Sequence, residues 1–337
     1  MSMKTPQKAR RKTVEGANLG HRAQSGRKSR IAMFTVLAGG SLVVLTGCGA
    51  STSGNGTNSA NNAASATGST LQVVAAEPQY GNIVQEIGGS QVTVYTVINN
   101  PNTDPHDYQA GTNDAKQVAA ANLVVQNGLG YDSFMNQLES SSPNQNRKVV
   151  EAGQVLGGTA GVTNPHIWYQ PGAMAKVAQS IETDLVALRP SQKALFSANL
   201  AKFTQSLQPW QQEIQQVKQK FSGSPVAVTE PVADDMLEAA GLSIKTPSAF
   251  ETAVMNGTDA SPQSVAQEQG LLTHHEVKML VYNEQATDSV TTSLLSLAKT
   301  NHIPVVPVYE TMPRGTTYAQ WMLSETKEIY GILNNGK

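Results

Sequence analysis

Two histidines stand in loops from which a side chain could bind a ligand. His106 follows Pro105, a few residues after an apolar run over residues 92–98, and His166 follows Pro165 just ahead of a helical pattern. Ligands of open α/β sheets bind beyond the carboxyl ends of the strands, where such loops lie. A single loop histidine is usually a polar surface residue, so these two indicate a site only in combination with further ligands.

Two glutamates follow apolar runs in the second half of the chain. Glu230 ends a run that begins at Pro225, and Glu310 ends a run that begins at Val305. A carboxylate at the tip of a buried strand points into a cleft, although each glutamate alone could equally cap a helix or lie on the surface. Two imidazoles and two carboxylates would form a mixed nitrogen and oxygen site, which suits Zn²⁺ or Mn²⁺, whereas Cu(I) favours thiolates or thioethers.

The composition narrows the class of partner. Of 24 basic and 25 acidic residues, nine basic and one acidic residue lie within residues 1–30, which leaves the rest of the chain with a net charge of −9. Such an acidic body argues against a nucleic-acid partner, because nucleic-acid binding neutralises phosphates with Lys and Arg. The single cysteine excludes a disulfide scaffold and a cysteine-rich metal site.

The N-terminal segment has the layout of an export signal. After the basic residues comes an uncharged apolar run over residues 31–46, which is shorter than the roughly 20 residues of a membrane span. The run ends in Leu45-Thr46-Gly47-Cys48, which resembles a bacterial lipobox, in which the cysteine is lipidated and becomes the first mature residue. A buried structural cysteine is the alternative. The lipobox predicts export and a lipid anchor at Cys48, on the outer face of a bacterial cell membrane.

A tether and a long helix divide the chain into segments. Residues 50–69 contain only Ala, Ser, Thr, Gly and Asn, a composition that cannot bury enough apolar surface to fold. We predict a signal peptide over 1–47, a flexible tether over 48–70, an N-terminal α/β lobe over 71–190, a bridging helix over 191–222 and a C-terminal α/β lobe over 223–337.

Strand and helix patterns alternate within each lobe, which predicts an α/β fold with parallel sheets. In the first lobe, strands are predicted at 71–76, 92–98, 123–126 and 148–150, and helices at 82–87, 113–121 and 134–138. In the second lobe, strands are predicted at 225–229, 279–282 and 305–308, and helices at 233–240, 264–269, 289–299 and 317–333.

The longest periodic segment lies between these two series. Apolar residues recur over residues 191–221 at spacings of three and four, which places them along one face of a helix. Pro209 lies inside the segment, so we expect a kink or a restart there. A coiled-coil dimer is the alternative, but the pattern is one isolated segment between α/β units, which favours an intramolecular rod in a monomer.

Several motifs together resemble the metal-binding lipoproteins of zinc- and manganese-type ABC importers, the cluster A-I substrate-binding proteins. The motifs are Asp104-Pro105-His106, the run over residues 121–130, Asn164-Pro165-His166-Ile167-Trp168, Val228-Thr229-Glu230 and Gly315-Thr316-Thr317-Tyr318. The resemblance implies two α/β lobes bridged by a single long helix, with a metal ion in the cleft between the lobes.

The same resemblance implies the ligands. It assigns His106 and His166 as the first two and Glu230 as the third, with a fourth carboxylate from a loop near the last helix. Thr316 occupies the position where an Asp is common, and a hydroxyl is a poorer ligand for these cations than a carboxylate. We therefore expect Glu310 as the fourth ligand, with Thr316 as the alternative.

Other polar residues are weaker candidates. His274 and His275 precede a strand pattern in a polar stretch and are predicted to be solvated. Glu284, which follows the strand pattern at 279–282, could support the ligands from behind. The three tryptophans are predicted to lie in the core.

The function implied by the resemblance is capture of Zn²⁺ or Mn²⁺ and its delivery to a membrane ABC permease, without catalysis. A lipid-anchored metallohydrolase is the first alternative, because two His and one Glu with an open position form a catalytic zinc geometry. Against it, the sequence contains no His-Glu-Xaa-Xaa-His motif. A surface adhesin that binds metal incidentally is the second alternative.

Overall fold

The computed structural model describes residues 69–100, 103, 105, 108–158 and 164–336. The predicted signal peptide, Cys48, most of the tether and His106 lie outside the described residues. No helix in the described ranges combines the length and the apolar character needed to cross a bilayer. The described residues form two α/β lobes within one compact unit, which confirms the predicted fold class.

The first lobe is built on a four-stranded parallel sheet with the strand order β2-β1-β3-β4. Helices cover both faces of this sheet, which is why β3 is buried along its whole length and reads as a continuous apolar run. In chain order, the elements are β1 (Leu71–Ala75), α1 (Pro78–Gly88), β2 (Val92–Thr96), α2 (Thr112–Ala120), β3 (Leu123–Gln126), α3 (Ser133–Ser141), β4 (Lys148–Glu151), α4 (Ala152–Val155) and α5 (Ala173–Leu188).

The predicted bridging helix is present and is interrupted once. It consists of α6 (Lys193–Ser206) and α7 (Gln208–Phe221), with Leu207 between them. Pro209 lies in the first turn of α7, where a helix needs no N–H donor from the proline. The restart expected at this proline is therefore what the structure shows.

The second lobe repeats the architecture with the strand order β6-β5-β7-β8, again parallel. The sequence patterns located its main strands, whereas β6 and α9 were not predicted. In chain order, the elements are β5 (Pro225–Val228), α8 (Asp234–Ala239), β6 (Ser243–Ile244), α9 (Ser248–Met255), α10 (Pro262–Thr273), β7 (Leu280–Asn283), α11 (Ser289–Thr300), β8 (Val305–Val308) and α12 (Tyr318–Asn335).

The bridging helix buries its apolar stripe against both lobes. The α6 half packs on α1 and α5, and the α7 half packs on α12. Phe203 and Trp210 on this stripe are each 1% exposed, and they belong to one apolar core that continues from the first lobe into the second. Since the stripe is covered within the chain, its periodicity needs no partner helix from a second chain.

Candidate metal centre

Three of the four predicted ligands come together where the lobes meet. His166, Glu230 and Glu310 each offer one ligand atom, and these atoms all lie within 4.8 Å of one another. All three side chains are buried, with exposed fractions of 0, 2 and 0%. One residue of the first lobe and two residues of the second therefore form a single cluster.

Asn164 fixes the orientation of the His166 ring. Asn164 Oδ1 accepts a hydrogen bond from the backbone N–H of His166 (3.1 Å), and Asn164 Nδ2 donates to the carbonyl of Pro231 (2.9 Å), so the two ends of the amide are unambiguous. His166 Nδ1 lies 2.8 Å from the same Oδ1, which can only accept, so Nδ1 carries the proton. In the neutral ring the lone pair is then on Nε2, as in histidines that bind metals.

Glu230 lies two residues beyond β5 in extended backbone (φ −161°, ψ 156°) and precedes the short 3₁₀ turn Pro231–Ala233. Pro231 lacks an N–H and cannot continue the ladder of sheet hydrogen bonds, so the chain turns away from the sheet here. Glu230 Oε2 accepts a hydrogen bond from Asn283 Nδ2 at 2.6 Å. The carboxylate is thereby held at the carboxyl edge of the sheet.

Glu310 lies two residues beyond β8 and is held by both lobes. Its backbone N–H donates to Gln285 Oε1 (2.5 Å), and its carbonyl accepts from Gln79 Nε2 of the first lobe (3.2 Å). Its side chain accepts from Asn283 Nδ2 at Oε1 (2.8 Å) and from the Tyr131 hydroxyl at Oε2 (2.9 Å). Oε2 also lies 3.7 Å from His166 Nε2, so this oxygen faces the cluster.

The charge of the cluster favours a cation. Two carboxylates are buried beside one imidazole, which can offset at most one negative charge, and buried charge is costly unless it is compensated. Burial, together with the charges of Glu310 and Glu77, raises the pKa of Tyr131 well above its ordinary value, so its hydroxyl stays a donor. A divalent cation between these ligands would supply the missing positive charge.

Aromatic rings line one side of the cluster. Tyr131 and Trp168 meet the His166 ring edge-on, with centroid distances of 5.7 and 5.3 Å and interplanar angles of 78° and 90°. Such rings exclude water and lower the local dielectric constant, which strengthens the attraction between a cation and its ligands.

The remaining candidates lie elsewhere. Thr316 is half-buried before α12, and its hydroxyl donates to the carbonyl of Thr317 (3.2 Å). Glu284 is exposed, so it does not support the ligands; its neighbour Asn283, which sequence reasoning missed, contacts both glutamates. His274 is solvated as predicted, with 73% of its side chain exposed, and the three tryptophans are buried.

A second buried carboxyl group connects the lobes away from the cluster. Glu325 of α12 accepts a hydrogen bond from Trp321 Nε1 at Oε1 (2.6 Å), and its Oε2 lies 2.8 Å from the Tyr169 hydroxyl. That hydroxyl also lies 3.0 Å from the carbonyl of Tyr309, next to Glu310. Burial raises the pKa of Glu325 to about 8, so at neutral pH the protonated acid can donate to Tyr169 while Tyr169 donates to the Tyr309 carbonyl.

Curated relatives with similar sequences are lipoproteins of bacterial metal importers. The manganese-binding lipoprotein MntA of Bacillus subtilis is 27% identical over 170 residues, which are 49% of this chain and 52% of the relative. The manganese ABC transporter substrate-binding lipoprotein PsaA of Streptococcus anginosus is 26% identical over 171 residues, 47% of this chain and 54% of the relative. The chain spans about half the length of the curated relatives it matches.

Solved structures share the fold over a larger part of the chain. The crystal structure of ZnuA has a TM-score of 0.64 at 22% identity and covers 79% of this chain and 99% of that chain. The periplasmic zinc binding protein TroA from Treponema pallidum has a TM-score of 0.66 at 16% identity, with 79% and 99% covered. The family model described as zinc-uptake complex component A, periplasmic, matches residues 73–331, a range that contains the whole cluster. The chain therefore belongs to the family of zinc-uptake complex component A.

Proposed function

We propose that this chain captures a divalent transition metal, Zn²⁺ or Mn²⁺, between its lobes and delivers it to an ABC permease. The observation that carries the proposal is the buried cluster of His166, Glu230 and Glu310, contributed by both lobes and compact enough for one ion. A neutral imidazole nitrogen and carboxylate oxygens are ligands that both cations accept. The names of the relatives, which mention zinc uptake and manganese, support the same class of ligand.

We assign His106 as the fourth ligand. With His166, Glu230 and Glu310 it would give two nitrogen and two oxygen donors, and four protein ligands leave no position for a substrate to be activated. A metallohydrolase needs such an open position, so the proposed ligand set and the family both favour carriage over hydrolysis.

We also propose that Cys48 anchors the protein to the outer face of the cell membrane. The lipobox at residues 45–48 and the lipoprotein relatives support this location. Cells given a radiolabelled fatty acid should label the wild-type chain and leave Cys48→Ser unlabelled. Equal labelling of both proteins would contradict the anchor.

Isothermal titration of Zn²⁺ and Mn²⁺ into the purified full-length chain tests the ligand set. The wild-type chain should bind one ion, and His106→Ala, His166→Ala, Glu230→Gln and Glu310→Gln should each bind at least about tenfold more weakly, on the scale seen when ligand support is lost. Near-ultraviolet circular dichroism reports whether each variant remains folded.

Two exposed residues provide matched controls. His274→Ala removes a solvated histidine, and Glu284→Gln removes an exposed carboxylate that lies next to the strand that carries Asn283. Both variants should bind metal as the wild-type chain does. Loss of affinity in the controls equal to that in the ligand variants, or no loss in His166→Ala and Glu230→Gln, would contradict the proposal.

A further inference from the structure

Asn283 occupies the position between the two candidate glutamate ligands. It is the last residue of β7, the strand that lies between β5 and β8 in the sheet. Since the strands are parallel, the residues that follow β5 and β8 meet the end of β7 at the same edge. The side chain of Asn283 is completely buried there.

The orientation of the Asn283 amide follows from its contacts. Asn283 Oδ1 accepts the backbone N–H of Gln285 (3.0 Å), which can only donate, so Nδ2 faces the opposite way. Nδ2 carries two hydrogens and lies 2.6 Å from Glu230 Oε2 and 2.8 Å from Glu310 Oε1. One amide nitrogen therefore donates to both carboxylates.

This shared donor limits how the carboxylates can bind a cation. With Oε1 of Glu310 held by the amide, the other oxygen is the one that faces His166 Nε2, at 3.7 Å. A carboxylate restrained in this way offers a single oxygen, whereas two-oxygen binding would need the amide contact to be given up. Zn²⁺ is satisfied by four ligands in a tetrahedron, and Mn²⁺ favours a larger number of oxygen ligands.

We propose that Asn283 determines metal specificity by keeping Glu230 and Glu310 as single-oxygen ligands, which favours Zn²⁺ over Mn²⁺. This inference rests on the proposed function of the same site. Asn283 acts through the two glutamates and is a positioning residue.

The test compares the full-length wild-type chain with Asn283→Ala and Asn283→Ser. The serine hydroxyl has one hydrogen and can restrain only one carboxylate, so its effect should be intermediate. The dissociation constants for Zn²⁺ and Mn²⁺ are measured by competition with a chromophoric chelator, and Co²⁺ serves as a probe because four-coordinate Co²⁺ absorbs visible light far more strongly than six-coordinate Co²⁺.

The wild-type chain should show the strong absorption of four-coordinate Co²⁺. In Asn283→Ala this absorption should fall, and the preference for Zn²⁺ over Mn²⁺ should drop by at least about tenfold, the scale on which residues behind metal ligands act. A general loss of structure would weaken both metals by the same factor and leave their ratio unchanged.

Three results would overturn the inference while leaving the proposed function intact. These are an unchanged ratio of affinities, an unchanged Co²⁺ spectrum in both variants, and a six-coordinate Co²⁺ spectrum in the wild-type chain. The last result needs no variant and decides the question even where a substitution at this buried position prevents folding. Failure of the wild-type chain to bind any of the three cations would instead refute the proposed function.

Discussion

The stability of the metal-free protein should depend on pH through Glu325. This carboxyl group is buried in α12 between Tyr169 and Trp321, and burial raises its pKa from an ordinary value of 4.5 to about 8. Between these two values the folded chain keeps the proton and the unfolded chain has lost it. The contribution of the protonated acid is therefore complete below about pH 4.5 and is lost as the pH rises toward 8.

The size of the effect follows from proton linkage. One proton bound by the folded state and absent from the unfolded state lowers the free energy of unfolding by about 1.4 kcal/mol for each unit of rising pH. Glu325→Gln cannot titrate, so its stability should fall with pH less steeply by about this amount. Glu268 and Asp234, whose pKa values burial raises to about 8 and about 9, add slopes that both proteins share.

Urea unfolding followed by far-ultraviolet circular dichroism at about pH 5.5, 6.5 and 7.5, with a chelator present, measures these slopes. The matched control is Glu284→Gln, which removes an exposed carboxylate and should keep the slope of the wild-type chain. The same slope in Glu325→Gln and in the wild-type chain would refute the reasoning, because Glu325 would then not hold its proton in the folded state.

Three further changes have defined outcomes. Tyr131→Phe removes the hydroxyl that donates to Glu310 Oε2 and should weaken metal binding about tenfold in isothermal titration, whereas unchanged affinity would contradict the contact. Trp210→Ala should lower the free energy of unfolding by about 3–5 kcal/mol, while Leu195→Ala at a 37% exposed position should change it by less than about 0.5 kcal/mol; equal losses in urea unfolding would contradict the buried stripe. Metal affinity should fall between about pH 7.5 and 5.5, because protons compete for the ligands, and a constant dissociation constant would exclude such competition.

The elements that carry the ligands could be predicted because buried parallel strands leave a strong pattern. The run over residues 123–126 coincides with β3, and the run over residues 305–308 coincides with β8. A strand that is buried on both faces is apolar along its whole length, so its end is marked by the first polar residue. This rule identified Glu230 and Glu310 as cleft residues before any geometry was known.

The support of the ligands could not be predicted in the same way. Asn283 ends an apolar run much as Glu284 follows it, and a carboxylate attracts more attention than an amide. Which of the two faces the cluster depends on β7 lying between β5 and β8, and that strand order is a property of the tertiary fold. The same holds for Tyr131, which reaches Glu310 from a different lobe and from 179 residues away in the sequence.

The short elements were missed for a different reason. β6 contains two residues, Ser243–Ile244, which is too few for an alternating or a continuous apolar pattern. It forms because Ser243 and Ile244 pair with Pro225 and Val226 of β5, a contact between distant parts of the lobe. The bridging helix, by contrast, carries its own periodicity and the proline that interrupts it, so both were visible in the sequence.

The central claim is that His166, Glu230 and Glu310 hold one divalent cation between the lobes. A crystal structure of the zinc-loaded chain, with diffraction data collected at the zinc absorption edge, tests it most directly. We predict one anomalous peak at about 2.0–2.2 Å from His166 Nε2 and from an oxygen of each glutamate. A peak bound by other residues, with these three side chains left uncoordinated, would contradict the account.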